Sequence, residues 1–302
     1  MAEGFAYVNG TYSPVDTAQI SVLDPGFTRS DAVYDVTSAW KGRFFRLDDH
    51  VARFFESCRG TQITCPLTAL EIRRILATCV IRGGLTEASY VAIVATRGGY
   101  LDEAAARARD IFRTKPSMIA YALPYVWIAD EAAQARGLHV IVARTPRIPD
   151  ACVSTKYKNY HWGDLTRGKF EAREAGADAA VHLSIEGFLT EGAGFNLFFV
   201  RDGRLYTPAR NVLIGVTRAA TIDLAAELGI PVEIGDYTAG ELRAADEAFL
   251  TSTAGGILPI ATVDRRPLRE DGLPGPMSMA LRQRYWRRRE EGWLGTRVED
   301  AI

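Results

Sequence analysis

Four dipeptides that end in glycine recur along the chain, each between two runs of residues that favour β-strands. They are Asn9-Gly10, Lys41-Gly42, Glu186-Gly187 and Asp202-Gly203. Glycine in such a pair readily adopts the positive φ angle that a tight hairpin turn requires. The flanking runs therefore predict antiparallel hairpins over residues 5–15, 34–46, 179–189 and 197–206. Single helices separate the hairpins, and this mixture predicts an α+β fold and not a doubly wound parallel sheet.

Helices are predicted where apolar residues recur at helical spacing or where start and stop signals flank a run. The predicted helices cover residues 47–60, 68–81, 163–175, 217–228 and 276–292, and further strands are predicted over 90–96, 117–127, 138–144 and 248–253. Residues 98–113 are polar and rich in alanine, so they fit a short surface helix and a mobile loop equally well. We interpret the run Arg287-Arg288-Arg289 as a solvated helix face.

A length of 302 residues suits two domains. The segment around Asp130–Gly137 is polar and resembles an exposed connector. We therefore predict a small N-terminal domain over residues 1–124, a connector over 125–136 and a large domain over 137–302.

Charge and cysteine content exclude several classes of protein. The 36 Lys and Arg residues balance 37 Asp and Glu residues, which gives no reason to expect nucleic acid or an anionic membrane as partner. The four cysteines form no close pair and the four histidines are scattered, so we expect no metal site. The N-terminal residues lack the basic and apolar regions of a signal peptide, and reduced thiols suit the cytoplasm. We therefore expect a cytoplasmic protein.

Two lysines, Lys156 and Lys158, lie two positions apart among Tyr157, Tyr160 and Trp162. A lysine amine is a poor nucleophile at neutral pH unless apolar surroundings lower its pKa. An aromatic setting can do so, and such a lysine can bind an aldehyde cofactor covalently. The residues alone leave open that both are surface lysines.

Glu191 follows a predicted strand and precedes Gly192-Ala193-Gly194. Small residues let the backbone approach a flat ligand closely. A buried carboxylate beside a pyridine nitrogen would keep that nitrogen protonated. Two further segments, Gly215–Arg218 and Thr251–Gly256, offer hydroxyls and backbone N–H groups that suit a phosphate, although helix caps use the same residues.

Six segments together resemble the fold-type IV pyridoxal-phosphate enzymes, from about Ser21 to Trp286. They are Asp24–Asp35, Phe45–Arg53, Lys158-Asn159, Leu189–Asn196, Gly215–Arg218 and Thr253–Gly256. The chain is most similar to the (R)-selective amine transaminases within that family, because of Ser30-Asp31, Ala122–Ile128 and Lys158–Leu165. The resemblance implies a small N-terminal α/β domain, a larger C-terminal pseudo-barrel domain and pyridoxal 5′-phosphate as cofactor.

The resemblance also assigns roles at the cofactor. It selects Lys158 as the covalent attachment point, because Lys158 precedes Asn159 and lies the expected distance before Glu191. It implies that Glu191 is the partner of the pyridine nitrogen. The implied phosphate contacts are Arg53, the Val216 backbone N–H, Thr217 and Thr253.

The substrate side is implied in the same way. Leu213 would pack on the cofactor ring, while Tyr34 and Trp162 would line the substrate pocket. Arg29 stands where many amine transaminases have histidine, and it could bind a substrate carboxylate. Another candidate for that carboxylate is Arg107 or Arg109.

The implied activity is a ping-pong transamination from an (R)-amine or D-amino acid to a keto acid such as pyruvate, in a homodimer. The alternatives are a branched-chain amino-acid aminotransferase, an aminodeoxychorismate-lyase-like enzyme of the same fold, and a non-catalytic protein that keeps the fold.

Overall fold

The computed structural model describes residues 3–302. Its strands are β1 (Phe5–Val8), β2 (Thr11–Pro14), β3 (Ala32–Trp40), β4 (Arg43–Phe45), β5 (Ala88–Tyr100), β6 (Thr114–Pro124), β7 (Leu138–Val142), β8 (Ala179–Leu183), β9 (Leu189–Gly192), β10 (Phe195–Arg201), β11 (Arg204–Pro208), β12 (Val232–Gly235), β13 (Glu247–Ser252), β14 (Gly256–Val263), β15 (Arg266–Pro267) and β16 (Gly295–Arg297).

The α-helices are α1 (Pro25–Arg29), α2 (Leu47–Gly60), α3 (Ala69–Arg82), α4 (Glu103–Ala108), α5 (Glu131–Arg136), α6 (Gly163–Glu174), α7 (Val216–Glu227), α8 (Ala239–Arg243) and α9 (Pro276–Glu290). Short 3-10 helices cover Val15–Thr17 and Glu299–Ala301.

The four predicted hairpins are confirmed as the pairs β1–β2, β3–β4, β8–β9 and β10–β11. Asn9 and Gly10 both have positive φ, at 47° and 99°. The turns at Lys41-Gly42 and Asp202-Gly203 share this geometry, which matches the right-handed twist of the flanking strands. The turn chemistry in the sequence therefore determines these pairings locally.

The chain forms two compact units. The first unit comprises the chain up to Val126 together with Tyr157–Tyr160 and Arg289–Ile302. The second unit comprises Trp127–Lys156 and His161–Arg288. The sequence-based boundaries stay a prediction, but they differ from this division, because residues 157–160 and 289–302 fell within the predicted large domain.

An antiparallel sheet organises the first unit. Within the described residues its seven strands run in the order β16-β4-β3-β5-β6-β1-β2. Helices α2 and α3 cover one face, where Val33, Val91 and Ala120 join the apolar side chains of both helices in one core. Because side chains alternate across a strand, Tyr34 lies on the opposite face, with Tyr90 and Tyr121 on the neighbouring strands.

The sheet of the second unit closes on itself. Strands β10, β13, β14, β7, β8 and β9 follow one another, and β9 pairs again with β10. Closure leaves no free edge along this ring, and it confirms the barrel-like second domain implied by the resemblance. Apolar residues such as Leu197, Leu250 and Ile260 form the core.

Several local predictions differ from the structure. Residues 98–113 contain the short helix α4, and β5 continues to Tyr100. The strand predicted over 117–127 begins at Thr114 and ends at Pro124. The interpretation of the arginine run as a solvated face is wrong for Arg289, which is buried, although Arg287 is exposed.

Among residues 3–302, no helix is both long and apolar enough to span a membrane.

Candidate active site

Backbone contacts fix the position of Lys158 in the first unit. Its N–H donates to Ser57 Oγ at 3.0 Å, and its carbonyl accepts from the Tyr34 N–H at 2.9 Å. The following residue, Asn159, forms a bridge with Val33. The side chain of Lys158 is half-buried, and Nζ lies 4.5 Å from the centroid of the Tyr34 ring. Lys156, by contrast, is exposed and belongs to the second unit.

Ser57 connects this lysine to helix α2. Its hydroxyl is buried, accepts from Lys158 and donates to the Arg53 carbonyl at 3.0 Å. Arg53 in turn donates through Nε and Nη2 to Asp35, at 2.7 and 2.8 Å. His50 Nδ1 lies 2.7 Å from the same carboxylate. The predicted phosphate contact Arg53 is therefore held by Asp35.

Burial and charge interactions fix the protonation states of Asp35 and His50. Burial alone would raise the pKa of Asp35, but the Arg53 guanidinium and hydrogen bonds from His50 and Arg53 bring that pKa well below its ordinary value. Burial lowers the pKa of His50, and the contact with Asp35 opposes this effect only partly. We therefore infer an ionised Asp35 and a neutral His50 at neutral pH.

Aromatic rings form a wall beside Lys158. Tyr34 stacks on Tyr160 with ring centroids 4.2 Å apart. Tyr160 shares a hydrogen bond with Tyr121, and Tyr121 stacks on Tyr90 at 6.4 Å. Burial raises the pKa of Tyr121 and of Tyr160, so these hydroxyls stay neutral. The wall is uncharged and suits an apolar substituent.

The predicted carboxylate-binding arginines lie on exposed parts of the first unit. Arg29 is exposed in the last turn of α1. Arg107 forms an exposed ion pair with Glu103, and Arg109 ends α4 with a φ of 50°. Their roles in substrate binding stay predictions.

Glu191 is buried in the second unit and has several donors. Its Oε2 accepts from the Leu213 N–H at 2.8 Å and from Asn196 Nδ2 at 3.5 Å. Its Oε1 accepts from Arg147 Nη2 at 3.1 Å. Asn196 also donates to the Leu213 carbonyl at 2.8 Å, so the carboxylate and the Leu213 backbone are held by the same side chain.

Arg147 is shared between two buried carboxylates. Besides Glu191, it donates to Asp164 Oδ2 at 2.6 Å, and Asp164 also accepts from the Ile148 N–H at 2.7 Å. Burial alone would lower the pKa of Arg147, but the two carboxylates raise it. Burial would likewise raise the pKa of Asp164, and its hydrogen bonds and Arg147 lower it. Each of these buried charged groups therefore has an oppositely charged hydrogen-bond partner, as buried charges require.

Sequence reasoning missed Arg147 and Asp164. Arg147 lies in an irregular segment after β7, where no periodicity or spacing distinguishes it from other arginines. Asp164 sits in the first turn of α6, where an acidic residue is expected for helix stability alone. Only the fold brings these two residues to Glu191.

The predicted phosphate contacts of the second unit lie at the start of α7 and the end of β13. Among the residues that the structure describes, no side chain caps α7 at Gly215, so the N–H groups of Val216 and Thr217 remain suited to an anion. Gly215 is required there, because a Cβ would lie 2.1 Å from Asn196 Oδ1. Thr253 is half-buried just beyond β13.

The Thr251 hydroxyl indicates that a polar ligand could bind in this part of the second unit. Its hydroxyl is buried without a hydrogen-bond partner in the described part of the chain. Thr251 pairs with Asn196 across β10 and β13, so the two side chains share one sheet face. The lysine of the first unit, and the buried carboxylate, uncapped helix start and unpaired hydroxyl of the second, are groups of the kinds that bind pyridoxal phosphate, so the residues of each unit fit this cofactor.

The predicted site residues divide between the units. The first unit holds Arg29, Tyr34, Arg53 and Lys158; the second holds Trp162, Glu191, Leu213, Val216, Thr217 and Thr253. Leu213 is half-buried, and its backbone reaches both Glu191 and Asn196. Trp162 precedes α6 and lies close to Gly194. The contacts of Leu213 and Trp162 with a ligand stay predictions.

Comparisons with known proteins show which family and which solved structures this chain is similar to. The sequence matches the family Amino-transferase class IV over residues 32–263. A branched-chain amino acid aminotransferase from T.th., solved with pyridoxamine 5′-phosphate, has a TM-score of 0.88 at 30% identity, covering 99% of both chains. A branched-chain aminotransferase from Thermoproteus uzoniensis, solved with norvaline, has a TM-score of 0.86 at 29% identity, covering 97% of this chain and 99% of that one. A D-alanine aminotransferase from Listeria monocytogenes is 28% identical, covering 92% of this chain and 93% of that protein.

The Asp35 cluster yields a prediction about stability and pH. Asp35→Asn leaves Arg53 without its buried counter-charge, so we expect the free energy of unfolding at pH 7 to fall by about 3–5 kcal/mol. Because the folded pKa of Asp35 lies below the ordinary value of 3.8, its contribution is present above that pH and is lost as pH falls through the folded pKa. The difference between wild type and variant should therefore shrink below about pH 3.8.

Denaturant unfolding at a series of pH values measures both effects. The matched control is Asp48→Asn, because Asp48 pairs with Arg73 on the surface, where 67% of the Asp48 side chain is exposed. We expect the control to change stability by less than about 1 kcal/mol. A variant Asp35→Asn as stable as the control at pH 7 would contradict the assigned role.

Proposed function

We propose that this chain, which belongs to amino-transferase class IV, transfers an amino group from an (R)-amine or a D-amino acid to a keto acid such as pyruvate. Class IV aminotransferases use pyridoxal phosphate, and the chain is a pyridoxal-phosphate-dependent aminotransferase. The aromatic wall beside Lys158 supports a donor with an apolar substituent, because it offers neutral rings to that substituent.

The bound cofactor would supply an aldehyde that takes up the amino group and a conjugated ring that accepts an electron pair. Lys158 is proposed to hold the aldehyde through Nζ. Once displaced by the substrate amine, Nζ would accept the proton of the substrate carbon and deliver it to the carbon of the former aldehyde group, as a general acid–base group. The backbone bonds to Ser57 and Tyr34 would keep this nitrogen in place during the proton transfer.

Glu191 is proposed to keep the pyridine nitrogen protonated. Its ion pair with Arg147 and the Leu213 N–H stabilise the carboxylate that this role requires. We propose that Leu213 also packs on the ring. The proposed phosphate contacts are Arg53, the Val216 N–H, Thr217 and Thr253. Arg53 would present a guanidinium already oriented by Asp35, and the start of α7 would offer backbone N–H groups.

The substrate side of the proposal rests on three residues. Tyr34 and Trp162 would line the pocket, and both are large aromatic side chains that are buried or half-buried. Arg29 would bind a carboxylate when the substrate has one. Its exposed position in α1 leaves the guanidinium accessible to an incoming anion.

The second candidate function is transamination of branched-chain L-amino acids. The observation in its favour is that the two similar solved structures, at 29–30% identity to this chain, are both branched-chain aminotransferases. The D-alanine aminotransferase of similar identity favours the first proposal. The two candidates differ in the configuration of the amino donor, so a donor comparison separates them.

We also infer that the chain acts as a homodimer. Large apolar side chains are exposed on the first unit at Val22, Leu23, Phe27 and Phe112. Exposed apolar side chains of this size are commonly covered by another protein surface, and a second copy of this chain would cover them.

The role of Lys158 is tested by Lys158→Ala with Lys156→Ala as the matched control. We expect Lys158→Ala to lose turnover and covalent attachment of the cofactor, because no other amine would replace Nζ. Borohydride reduction of the holoenzyme followed by peptide mass spectrometry should find the cofactor mass on the Lys158 side chain in wild type and in Lys156→Ala. Covalently attached cofactor in Lys158→Ala would refute the assignment.

The donor is tested by a screen with pyruvate as acceptor. We expect (R)-1-phenylethylamine and D-leucine to be converted faster than (S)-1-phenylethylamine and L-leucine, because the proposed donors have this configuration while both members of each pair offer the same apolar substituent to the aromatic wall. Formation of L-alanine or D-alanine is measured by chiral chromatography. Conversion of L-leucine alone would establish the branched-chain function instead.

A further inference from the structure

Asp164 is a buried carboxylate that shares the guanidinium of Arg147 with Glu191. It lies in the first turn of α6. We propose that Asp164 is a positioning residue for the cofactor: it holds Arg147 and thereby leaves Glu191 enough negative charge to favour a proton on the pyridine nitrogen. The inference rests on the proposed role of Glu191 at that nitrogen.

Arg147 approaches Asp164 more closely than it approaches Glu191. Its Nη1 donates to Asp164 Oδ2 at 2.6 Å. Its Nε and Nη2 both donate to one oxygen of Glu191, Oε1, at 3.3 and 3.1 Å. Hydrogen bonds between a cationic nitrogen and a carboxylate are usually about 2.7–2.9 Å long, so the guanidinium interacts more strongly with Asp164. Arg147 therefore neutralises Glu191 only in part.

The surroundings of Asp164 keep it ionised. Besides Arg147, Oδ2 accepts from the Ile148 N–H at 2.7 Å, and Oδ1 accepts from the Leu165 N–H at 2.8 Å. The positive end of the α6 dipole lies at the same place. Burial alone would raise the pKa of Asp164, but these hydrogen bonds and the Arg147 charge lower it. Asp164 therefore presents a full negative charge to Arg147 at neutral pH.

Asp164, Arg147 and Glu191 form a charged triad with one net negative charge, because two carboxylates share one guanidinium. A pair of Arg147 and Glu191 alone would be neutral and would attract a cation only weakly. A net negative charge in a buried site favours a cation beside it. A pyridine nitrogen becomes cationic when it is protonated, and a protonated ring accepts an electron pair more readily. The triad thus suits a protonated ring better than a neutral one.

Two titratable groups of neighbouring elements also face the charged triad. Arg218 of α7 interacts with Glu191 through its charge, while its guanidinium donates to two neutral oxygens of β11. His182 of β8 is neutral, because burial lowers its pKa. Removing the Asp164 charge would leave His182 neutral, since that carboxylate is one of the groups that raise the His182 pKa. Arg218 keeps its charge at any relevant pH, so a changed preference for a cation can be assigned to Asp164.

The test compares pyridoxal 5′-phosphate with its deaza analogue, in which a C–H group replaces the ring nitrogen and cannot become cationic. Calorimetry measures the dissociation constant of each for the chain freed of resident cofactor. Wild type should prefer pyridoxal phosphate. Asp164→Asn should lower that preference at least about tenfold, because one negative charge leaves the buried triad. The amide oxygen can still accept from Arg147 and Ile148, so the variant removes the charge and keeps both contacts.

Glu171→Gln is the matched control. Glu171 lies seven residues further along α6, which places it about 10 Å from Asp164 along the helix axis. Its carboxylate accepts from the backbone N–H groups of Arg144 and Thr145, so the variant also removes a charge that is bonded to backbone. The preference should change less than about twofold. Asp164→Glu restores the charge and should keep most of the wild-type preference.

Asp164→Ser keeps a hydroxyl acceptor at the start of α6 and removes the charge, so it replaces Asp164→Asn if that variant does not fold. A wild-type preference that survives in the uncharged variant would overturn the proposal. An equal loss of affinity for both cofactors would also overturn it, because that result indicates a purely structural role. A wild type that binds both cofactors equally would refute the role of Glu191 and this inference with it. Since binding needs no turnover, inactivity on every proposed donor would refute the proposed function alone.

Discussion

The ion pair between Arg147 and Glu191 is the interaction on which the second half of the site depends. A carboxylate buried without a counter-charge would take up a proton or destabilise the fold. Here Arg147 binds Glu191 and Asp164 together, while the Leu213 N–H adds a further donor to Glu191. The two carboxylates therefore depend on the arginine, because removing it would leave two buried negative charges close together.

The same interaction connects the carboxylate to the rest of the second unit. Asn196 joins Glu191 to the Leu213 backbone, and it also fixes the approach of Gly215 at the start of α7. A ligand that binds the carboxylate would thus meet a helix start whose position is set by the same strand, β10. The first unit is organised in a similar way, since Asp35 orients Arg53 and Ser57 links α2 to Lys158.

The sequence predicted those parts of the molecule that depend on neighbours in the chain. The Asn9-Gly10 turn and the helical spacing over residues 68–81 are local, and both appear in the structure, as the β1–β2 hairpin and helix α3. The barrel closure between β9 and β10 depends on strands across the second unit, and it was reached only through the resemblance. Short elements such as β12 and α8 carry too few residues to show a period.

Site residues divide in the same manner. Lys158 and Glu191 became candidates because aromatic or glycine-rich neighbours accompany them in the chain, and the resemblance then selected Lys158 over Lys156. The burial of Arg147 at the site, and that of Arg289 outside it, could not be predicted, because burial depends on what the fold places around a residue. Arg289 follows two more exposed arginines in α9, so composition and spacing favoured a solvated side chain, and tertiary contacts with Ser38 and Phe45 reversed that expectation.

The most direct measurement of the central claim is the rate of cofactor release from holoenzyme in Arg147→Leu compared with Arg144→Leu. Both variants remove an arginine that contacts a carboxylate, but the side chain of Arg144 is 84% exposed and that of Arg147 only 10%. If Arg147 maintains the charge of Glu191, cofactor release should accelerate at least about tenfold in Arg147→Leu, as for loss of a buried charged contact, and remain unchanged in Arg144→Leu. Equal release rates in both variants and wild type would contradict the account.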